Sequence, residues 1–329
     1  MVLVNGKTIN LMKFKIVPIK GDASFRTFYR IVLKKKTKIV VLSQKEKYKN
    51  LVAYSAINNF LNKNKILAPK LYSHNYKKGM IVIKDFGNLS FYNILSKRKN
   101  KFQIYKQLVD LLVKIQKIKP KRKVKNFFGK SHIIRNYSTQ QLHKESDLFF
   151  DWYLPLIVKK KKSNIIKKKT KKILSSLYKR LNLPNSIFVH RDYHVQNLMK
   201  VRSKIGVIDS QDALIGNPSY DLVSLIDDVR LKTSKKLKQQ IYNYYLKKNM
   251  FSSRKFLEDF NILSVQRNLK IIGIFSRLFK RDKKSQYLKL IPYTWKLLNM
   301  RMKSKMFSEL RNIFDNYIPK NKRSKIINR

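Results

Sequence analysis

Apolar positions in the first part of the chain alternate or fall in short runs. Lys15 to Pro18, Phe28 to Leu33 and Lys38 to Leu42 predict strands, with turns at Gly21-Asp22 and Lys34 to Thr37. A helix is predicted from about Lys45 to Leu61, then Pro69, then a strand at Met80 to Ile83. Lys84-Asp85-Phe86-Gly87 reads as a connection. Beyond it the spacing turns helical. Gln103 to Ile118 shows that period, and Leu142 to Leu154 sets Leu142, Glu145, Phe149 and Trp152 on one face. Ile165, Ile166, Ile173, Leu174, Leu177 and Leu181 form a stripe beside the lysine runs 159–162 and 167–172, which read as solvated faces. The expected class is α+β and bilobal, with a strand-rich lobe at 1–86 and a mostly helical one at 87–329.

Between these patterns lies the run His190-Arg191-Asp192-Tyr193-His194-Val195-Gln196-Asn197. Ile187-Phe188-Val189 before it reads as a strand end. Leu198 to Val201 and Ile205 to Ile208 after it read as a hairpin with a three-residue loop, Arg202-Ser203-Lys204. In that register Val201 faces Ile205, Leu198 faces Ile208, and Asn197 stands opposite Asp209, roughly 5 Å away on the neighbouring strand. An amide oxygen and a carboxylate so placed can share Mg²⁺, a hard cation that takes one or two protein oxygens beside phosphate oxygens. Asp192 opens the loop, where a carboxylate would meet a substrate hydroxyl. The spacing is that of the H-R-D-x-x-x-x-N phosphotransferase loop.

Zinc on His190 and His194 is disfavoured, because Arg191 stands where a metalloprotease needs Glu and the segment is a loop. Both histidines are expected to tie the loop backbone. Asp221, after Pro218, starts a helix carrying Leu222, Val223, Leu225, Ile226 and Val229. It is either a charge placed at a helix N-terminus or a clamp on the loop. Asp227 and Asp228 are expected to be solvated or paired with surface lysines. Glu145 is either a sugar-holding carboxylate beside aromatics or a paired core residue.

Charge sharpens the case for the loop. The chain has 76 Lys+Arg against 18 Asp+Glu, a net +58, and six of the 18 acids fall between 192 and 228. The lysines are spread over the whole chain together with many Asn and Ile, so codon bias explains them, and no specific nucleic-acid partner is expected. There is no cysteine, which excludes disulfides and Cys-based zinc sites. No run of 18 uncharged apolar residues occurs, and Lys13 and Lys15 interrupt any signal-peptide core. The expectation is a cytoplasmic protein without membrane insertion.

At these residues the chain resembles the aminoglycoside phosphotransferase-like kinases, and within them the bacterial N-acetylmuramate/N-acetylglucosamine anomeric kinases of cell-wall sugar recycling. The likeness runs through Asp22-Ala23-Ser24-Phe25-Arg26, Leu148 to Tyr153, His190 to Met199, Ile208 to Leu225 and Gln266 to Leu278, with Tyr287, Pro292 and Trp295 following in order. It implies Asp192 as the catalytic carboxylate and Asn197 with Asp209 as Mg²⁺ ligands. The loop with Ser24 and Arg26 would cover the ATP phosphates, and the backbone around Asp85 would meet adenine. Gln266, Arg267 and Asn268 form a polar cluster ahead of an apolar helix. There Arg267 would either pair with a carboxylate or grip an anionic substrate group such as the lactyl carboxylate of N-acetylmuramate. A nucleotidyltransferase acting on the sugar 1-phosphate would be the downstream partner.

Two departures stand out: Ser210 replaces the usual Phe after the metal-binding Asp, and Ile39 to Ser43 carries no strand lysine. Arg26, Arg30 and Lys45 are candidates to neutralise the phosphates in its place. The expected function is an ATP-dependent small-molecule phosphotransferase. A kinase of another alcohol, aminoglycoside- or choline-like, and a pseudokinase or nucleic-acid-associated binder are the alternatives.

Overall fold

The computed structural model describes residues 2–4, 7–9, 15–19, 26–33, 36–43, 48–249, 251 and 253–324. The expected turn at Gly21-Asp22, Ser24 of the phosphate-covering loop, and Lys45 lie outside them. The chain forms two compact units, one of residues 1–135 and 187–215, the other of 136–186 and 216–329.

The first unit begins with β1 (Val2–Val4) and β2 (Lys7–Ile9), which pair with each other. An antiparallel five-stranded sheet follows, built from β3 (Lys15–Ile19), β4 (Thr27–Leu33), β5 (Lys36–Leu42), β6 (Leu71–Asn75) and β7 (Met80–Lys84) in the order β3-β4-β5-β7-β6. The expected strands are all present; β6 was not foreseen. β5 sits at the centre, and Ile39, Val40 and Val41 are buried in succession. A central strand covered on both faces reads as a continuous apolar run, not an alternation. Ile39 and Val41 pack with Leu51 and Tyr54 of α1 (Tyr48–Lys63), together with Leu71, Ile81 and Ile83. α1 is also braced by amides: Asn58 Nδ2 donates to Pro69 O (3.1 Å) and Asn62 Nδ2 to Ala68 O (3.0 Å).

After α2 (Phe91–Ser96), α3 (Phe102–Gln116), β8 (Lys123–Lys125) and β9 (Ser131–Ile133), the first unit resumes at β10 (Ile187–Val189) and the hairpin β11 (Leu198–Val201) and β12 (Lys204–Val207). The hairpin register differs by one residue from the expectation. Val201 pairs with Lys204 and Leu198 with Val207, so the turn is the two-residue Arg202-Ser203, with Arg202 at φ 54°. Both registers give Leu198 an apolar partner, Val207 or Ile208, and the observed one accepts Lys204 opposite Val201 in exchange for the tight turn. Asn197 is therefore opposite Ile208, whose N–H donates to Asn197 O (3.0 Å). β13 (Leu214–Gly216) closes the segment.

The second unit is helical. It holds α4 (Thr139–Leu148), α5 (Leu154–Ile157), α6 (Lys160–Lys179), α7 (Ser219–Ile226), α8 (Lys235–Asn249), α9 (Ser253–Asp282), α10 (Ile291–Arg301), α11 (Ser308–Tyr317) and α12 (Lys320–Ser324). The expected helix 142–154 is interrupted by a π turn at Phe149–Tyr153. That turn shifts the buried face to Phe149, Phe150 and Tyr153 and leaves Trp152 half-buried. Ile165 of the expected stripe is exposed; Ile166, Thr170, Leu174, Leu177 and Tyr178 carry the buried face of α6. α9 spans 30 residues and is buried on all sides from Ile262 to Gly273, so Gln266, Arg267 and Asn268 lie inside a helix and not ahead of one. Phe149, Tyr153, Trp295 and Phe314 form an aromatic cluster in which Trp295 Nε1 donates to Tyr153 OH (2.8 Å). Asp227 is fully buried, not solvated. It accepts from Arg301 through both oxygens (2.8 and 2.9 Å), from Ser264 Oγ (2.7 Å) and from Lys238 Nζ (3.3 Å).

Candidate active site

The loop after β10 is held by backbone and side-chain bonds within the first unit. His194 N donates to Asp192 O (2.9 Å), and Asn197 N to His194 O (2.9 Å). Tyr193 is buried and its hydroxyl donates to Leu108 O on α3 (2.8 Å), while Tyr92 N of α2 donates to Val195 O (2.9 Å). His190 is fully buried. Its Nδ1 accepts from Asp192 N (3.3 Å), so its Nε2 carries the proton and donates to Ile208 O (3.0 Å). One imidazole thus joins the residue that opens the loop to the residue just before Asp209. His190 was expected to tie the loop backbone; its two ring nitrogens bond Asp192 N and Ile208 O. Arg191 and Asp209 both adopt left-handed backbone, at φ 73° and 65°. Such geometry persists at non-glycine positions where the surroundings enforce it.

Asn197 Nδ2 donates to Asp192 O (3.0 Å). That bond fixes the amide so that Oδ1, which has no hydrogen bond among the described residues, is left for another partner. The Asp209 side chain keeps 37% of its surface, and Oδ1 accepts from Arg26 NH2 at 2.5 Å. Arg26 is itself buried, with its NH1 on Gln211 Oε1 (3.0 Å). The donor set offered by Asn197 and Asp209 is oxygen only and one negative charge, which suits a hard divalent cation that brings its own water and phosphate ligands. Among the described residues no group of three or more His, Cys, Asp or Glu could hold a metal.

The residue after Asp209 also has a physical account. Ser210 is buried and donates through Oγ to Asn58 Oδ1 on α1 (2.7 Å). Neither Gln211 nor Asn58 was singled out from sequence; an asparagine amid the apolar residues of α1 was the available signal.

Asp85 and Arg30 form a bidentate pair, Nε to Oδ2 at 2.5 Å and NH2 to Oδ1 at 3.0 Å, and Gly87 N donates to Asp85 Oδ1 (2.8 Å). Burial alone would raise the Asp85 pKa, but these bonds outweigh it and hold the carboxyl below its ordinary value. Arg30 is thereby engaged in shaping the 84–87 connection. Gly206 approaches the same connection from β12, and a Cβ there would lie 2.6 Å from the Phe86 ring.

Glu145, Arg267 and Asp221 belong to the second unit. Glu145 is buried among donors: Tyr137 OH (2.5 Å), Gln266 Nε2 (3.1 Å), Gln141 Nε2 (3.2 Å) and Lys270 Nζ (3.3 Å). This is the paired-core arrangement of the two readings above. Arg267 is 4% exposed, and its buried NH1 has no hydrogen-bond partner among the described residues. Asp221 is fully buried in the first turn of α7, which favours a carboxylate.

Residues 15–257 match the phosphotransferase enzyme family. The chain is 26% identical over 291 residues to N-acetylmuramate/N-acetylglucosamine kinase of Pseudomonas aeruginosa, covering 86% of this chain and 82% of the relative. It is 25% identical over 312 residues to the protein of the same name from Neisseria meningitidis, covering 92% and 89%. Among solved structures, a choline/ethanolamine kinase family protein from Mesorhizobium loti superposes with a TM-score of 0.62 at 11% identity, covering 91% of this chain and 92% of that one. The choline kinase of Streptococcus pneumoniae gives 0.58 at 14% identity, covering 88% and 95%. The fold is that of these protein-kinase-like phosphotransferases, with an N-terminal sheet and a helical C-terminal part, as expected. No helix among the described residues is long and apolar enough to cross a membrane.

Proposed function

The chain belongs to the phosphotransferase enzyme family, and from that membership we propose an ATP- and Mg²⁺-dependent kinase acting on the anomeric hydroxyl of N-acetylmuramate or N-acetylglucosamine. The class, an ATP-dependent phosphotransferase, follows from the family. The acceptor is suggested by the relatives that bear that name. The observation that carries the reading is the His190 bridge, which fixes Asp192 relative to the strand end bearing Asp209.

In this reading residues 1–86 form the nucleotide lobe and 87–329 the catalytic and acceptor lobe. Asp192 orients the acceptor hydroxyl and accepts its proton as the oxygen attacks the γ-phosphorus. Asn197 Oδ1 and Asp209 hold Mg²⁺, which supplies charge neutralisation at the phosphates. Ser24, Arg26 and the backbone at Asp85 meet the nucleotide, and Asp221 supports the loop. Arg267 is assigned to the acceptor, taking an anionic group, whereas Glu145, first a candidate for the same role, stays within its buried cluster of donors. Positioning and charge neutralisation supply most of the rate in such transfers. The sugar 1-phosphate would feed a nucleotidyltransferase in peptidoglycan recycling, in the cytoplasm.

ATP consumption with Mg²⁺ over a panel of N-acetylated amino sugars, other sugars and amino alcohols tests this, run beside Asp192→Asn. The expected result is turnover on an N-acetylated amino sugar that falls by about 10²–10⁴-fold in the variant. Turnover confined to choline or an aminoglycoside would discard the acceptor and keep the kinase. No turnover and no Mg·ATP binding would favour a pseudokinase or binding protein.

A further inference from the structure

The first unit contains a cavity of about 1130 Å³ outside the Asp192–Asn197–Asp209 cluster, and nothing above gives it a role. Its wall is drawn from separate segments: the start of α1, the end of β6 and its turn, β9, Arg135, Arg191 and residues 211–214. Among the described residues its only carboxylate is Asp212, against the cations Lys49, Lys77, Lys130, Arg135 and Arg191. Lysine is abundant everywhere in this chain, so number is not the point. Lys49, Lys77, Lys130 and Arg135 have no ion pair among the described residues, yet they share one concave wall. Like charges gathered in this way repel unless an anion joins them.

The wall is built to hold its shape. Asn126, itself buried, accepts from Phe128 N and Lys130 N (3.0 Å each) through Oδ1 and donates to Tyr76 OH (2.6 Å), which fixes the turn that presents Lys130. His74 stacks on Tyr76 with centroids 4.2 Å apart, and burial, with Lys130 adding to it, holds the His74 pKa below its ordinary value. Val52, Ala53 and Ala213 add apolar surface between the charges.

We propose that this cavity binds a sugar phosphomonoester. The dianion would be held by Lys49, Lys130 and Arg135, and the ring would lie on the aromatic and apolar wall. A carbohydrate ring needs such a mixed surface, and a dianion is the group that best satisfies several cations lining one cavity. The cavity is also wired to the catalytic segment. Arg191 NH1 donates to Asp212 O (3.0 Å), Gln211 Nε2 to Asp212 Oδ2 (3.0 Å), and Arg26 bonds both Gln211 and Asp209. An anion settling beside Asp212 therefore acts on the side chain that holds Asp209. On the proposed function the ligand is of the same class as the reaction product, which makes the site a feedback site.

Isothermal titration of N-acetylglucosamine 1-phosphate into the full chain, at 150 mM salt and without nucleotide, tests the proposal independently of turnover. The variant is Lys130→Ser/Arg135→Ser, and the charge control is Lys160→Ser/Lys161→Ser on α6. The expected result is saturable binding that weakens at least about tenfold in the cavity variant and stays within about twofold in the control, as each lost charge-assisted bond implies. Three results overturn it: no saturable binding to the wild type, equal weakening in both variants, or unchanged affinity in the cavity variant. The second would mean a non-specific field and the third binding at the catalytic cluster. Because no phosphoryl transfer is read, failure here leaves the kinase assignment intact.

Discussion

Ser210 Oγ donates to Asn58 Oδ1 at 2.7 Å, and both residues are buried, so the position after Asp209 is tied to α1 by a polar bond. The position for which a phenylalanine was expected thus carries a matched donor and acceptor.

Ser210→Ala should leave Asn58 Oδ1 buried without that donor and cost about 1–3 kcal/mol. Ser210→Phe should cost at least as much, because Asn58 still occupies the space the ring would need. Urea unfolding of both variants, with Asn58→Ala and the double Ser210→Ala/Asn58→Ala, measures the coupling. Additive single effects would show that the bond contributes nothing.

The buried Asp227 network gives the second unit a defined acid response. Burial alone would raise the Asp227 pKa, but Arg301 and Lys238 outweigh it and hold the carboxyl well below the usual carboxylate range. A carboxyl whose folded pKa lies below its unfolded value of about 3.9 contributes stability that is complete above that value and is lost as pH falls from there through the folded pKa. Asp227→Asn should cost about 3–5 kcal/mol at pH 7, since buried Lys238 and half-buried Arg301 lose their partner. Its stability should also fall less steeply than wild type between about pH 5 and 3. Unfolding curves over that range decide, and parallel slopes would remove Asp227 from the account.

Gly206→Ala sets a methyl 2.6 Å from Phe86 Cε2 and 2.8 Å from Cδ2. The ring must move, at a cost of about 1–3 kcal/mol. The 84–87 connection is assigned to adenine, so nucleotide affinity should weaken several-fold while any Asp192-dependent transfer survives. ATP binding measured by calorimetry checks this; unchanged affinity would place adenine elsewhere.

Gly273→Ala offers a test of sign. In an exposed helix interior alanine would stabilise by about 1 kcal/mol relative to glycine. Here the new Cβ would lie 2.3 Å from Leu148 C and 2.5 Å from both Leu148 O and Phe149 N, all backbone. Backbone cannot rotate aside as a side chain can, so the expected result is a loss of more than about 2 kcal/mol. A gain in thermal stability would contradict the close passage of α9 against the π turn.

Much of the fold was legible in the chain itself. Strand and helix periods placed the sheet, α1 and α3 within a few residues, and the loop spacing placed Asp192, Asn197 and Asp209 in one segment. The features that escaped are those where period carries no information. The hairpin register slipped by one because Leu198 finds an apolar partner in Val207 as readily as in Ile208, and Arg202 is not a residue that announces a left-handed turn. The π turn inserts one residue into a helix without altering its composition. Asp227 looked like a surface acid in a lysine-rich chain, whereas its partners lie far along the sequence at Lys238, Ser264 and Arg301.

The left-handed backbone of Asp209 narrows which replacements the position can sample. Aspartate, asparagine and glycine enter that conformation at little cost, whereas most other L-residues lose about 1–2 kcal/mol there. Glutamate keeps the charge and the oxygens but not the backbone tolerance. The substitution that looks mildest on paper is therefore penalised twice, once in side-chain reach and once in the main chain. Natural drift at this position should run through asparagine or glycine, and a chain that had lost its chemistry would be expected to show one of those two there.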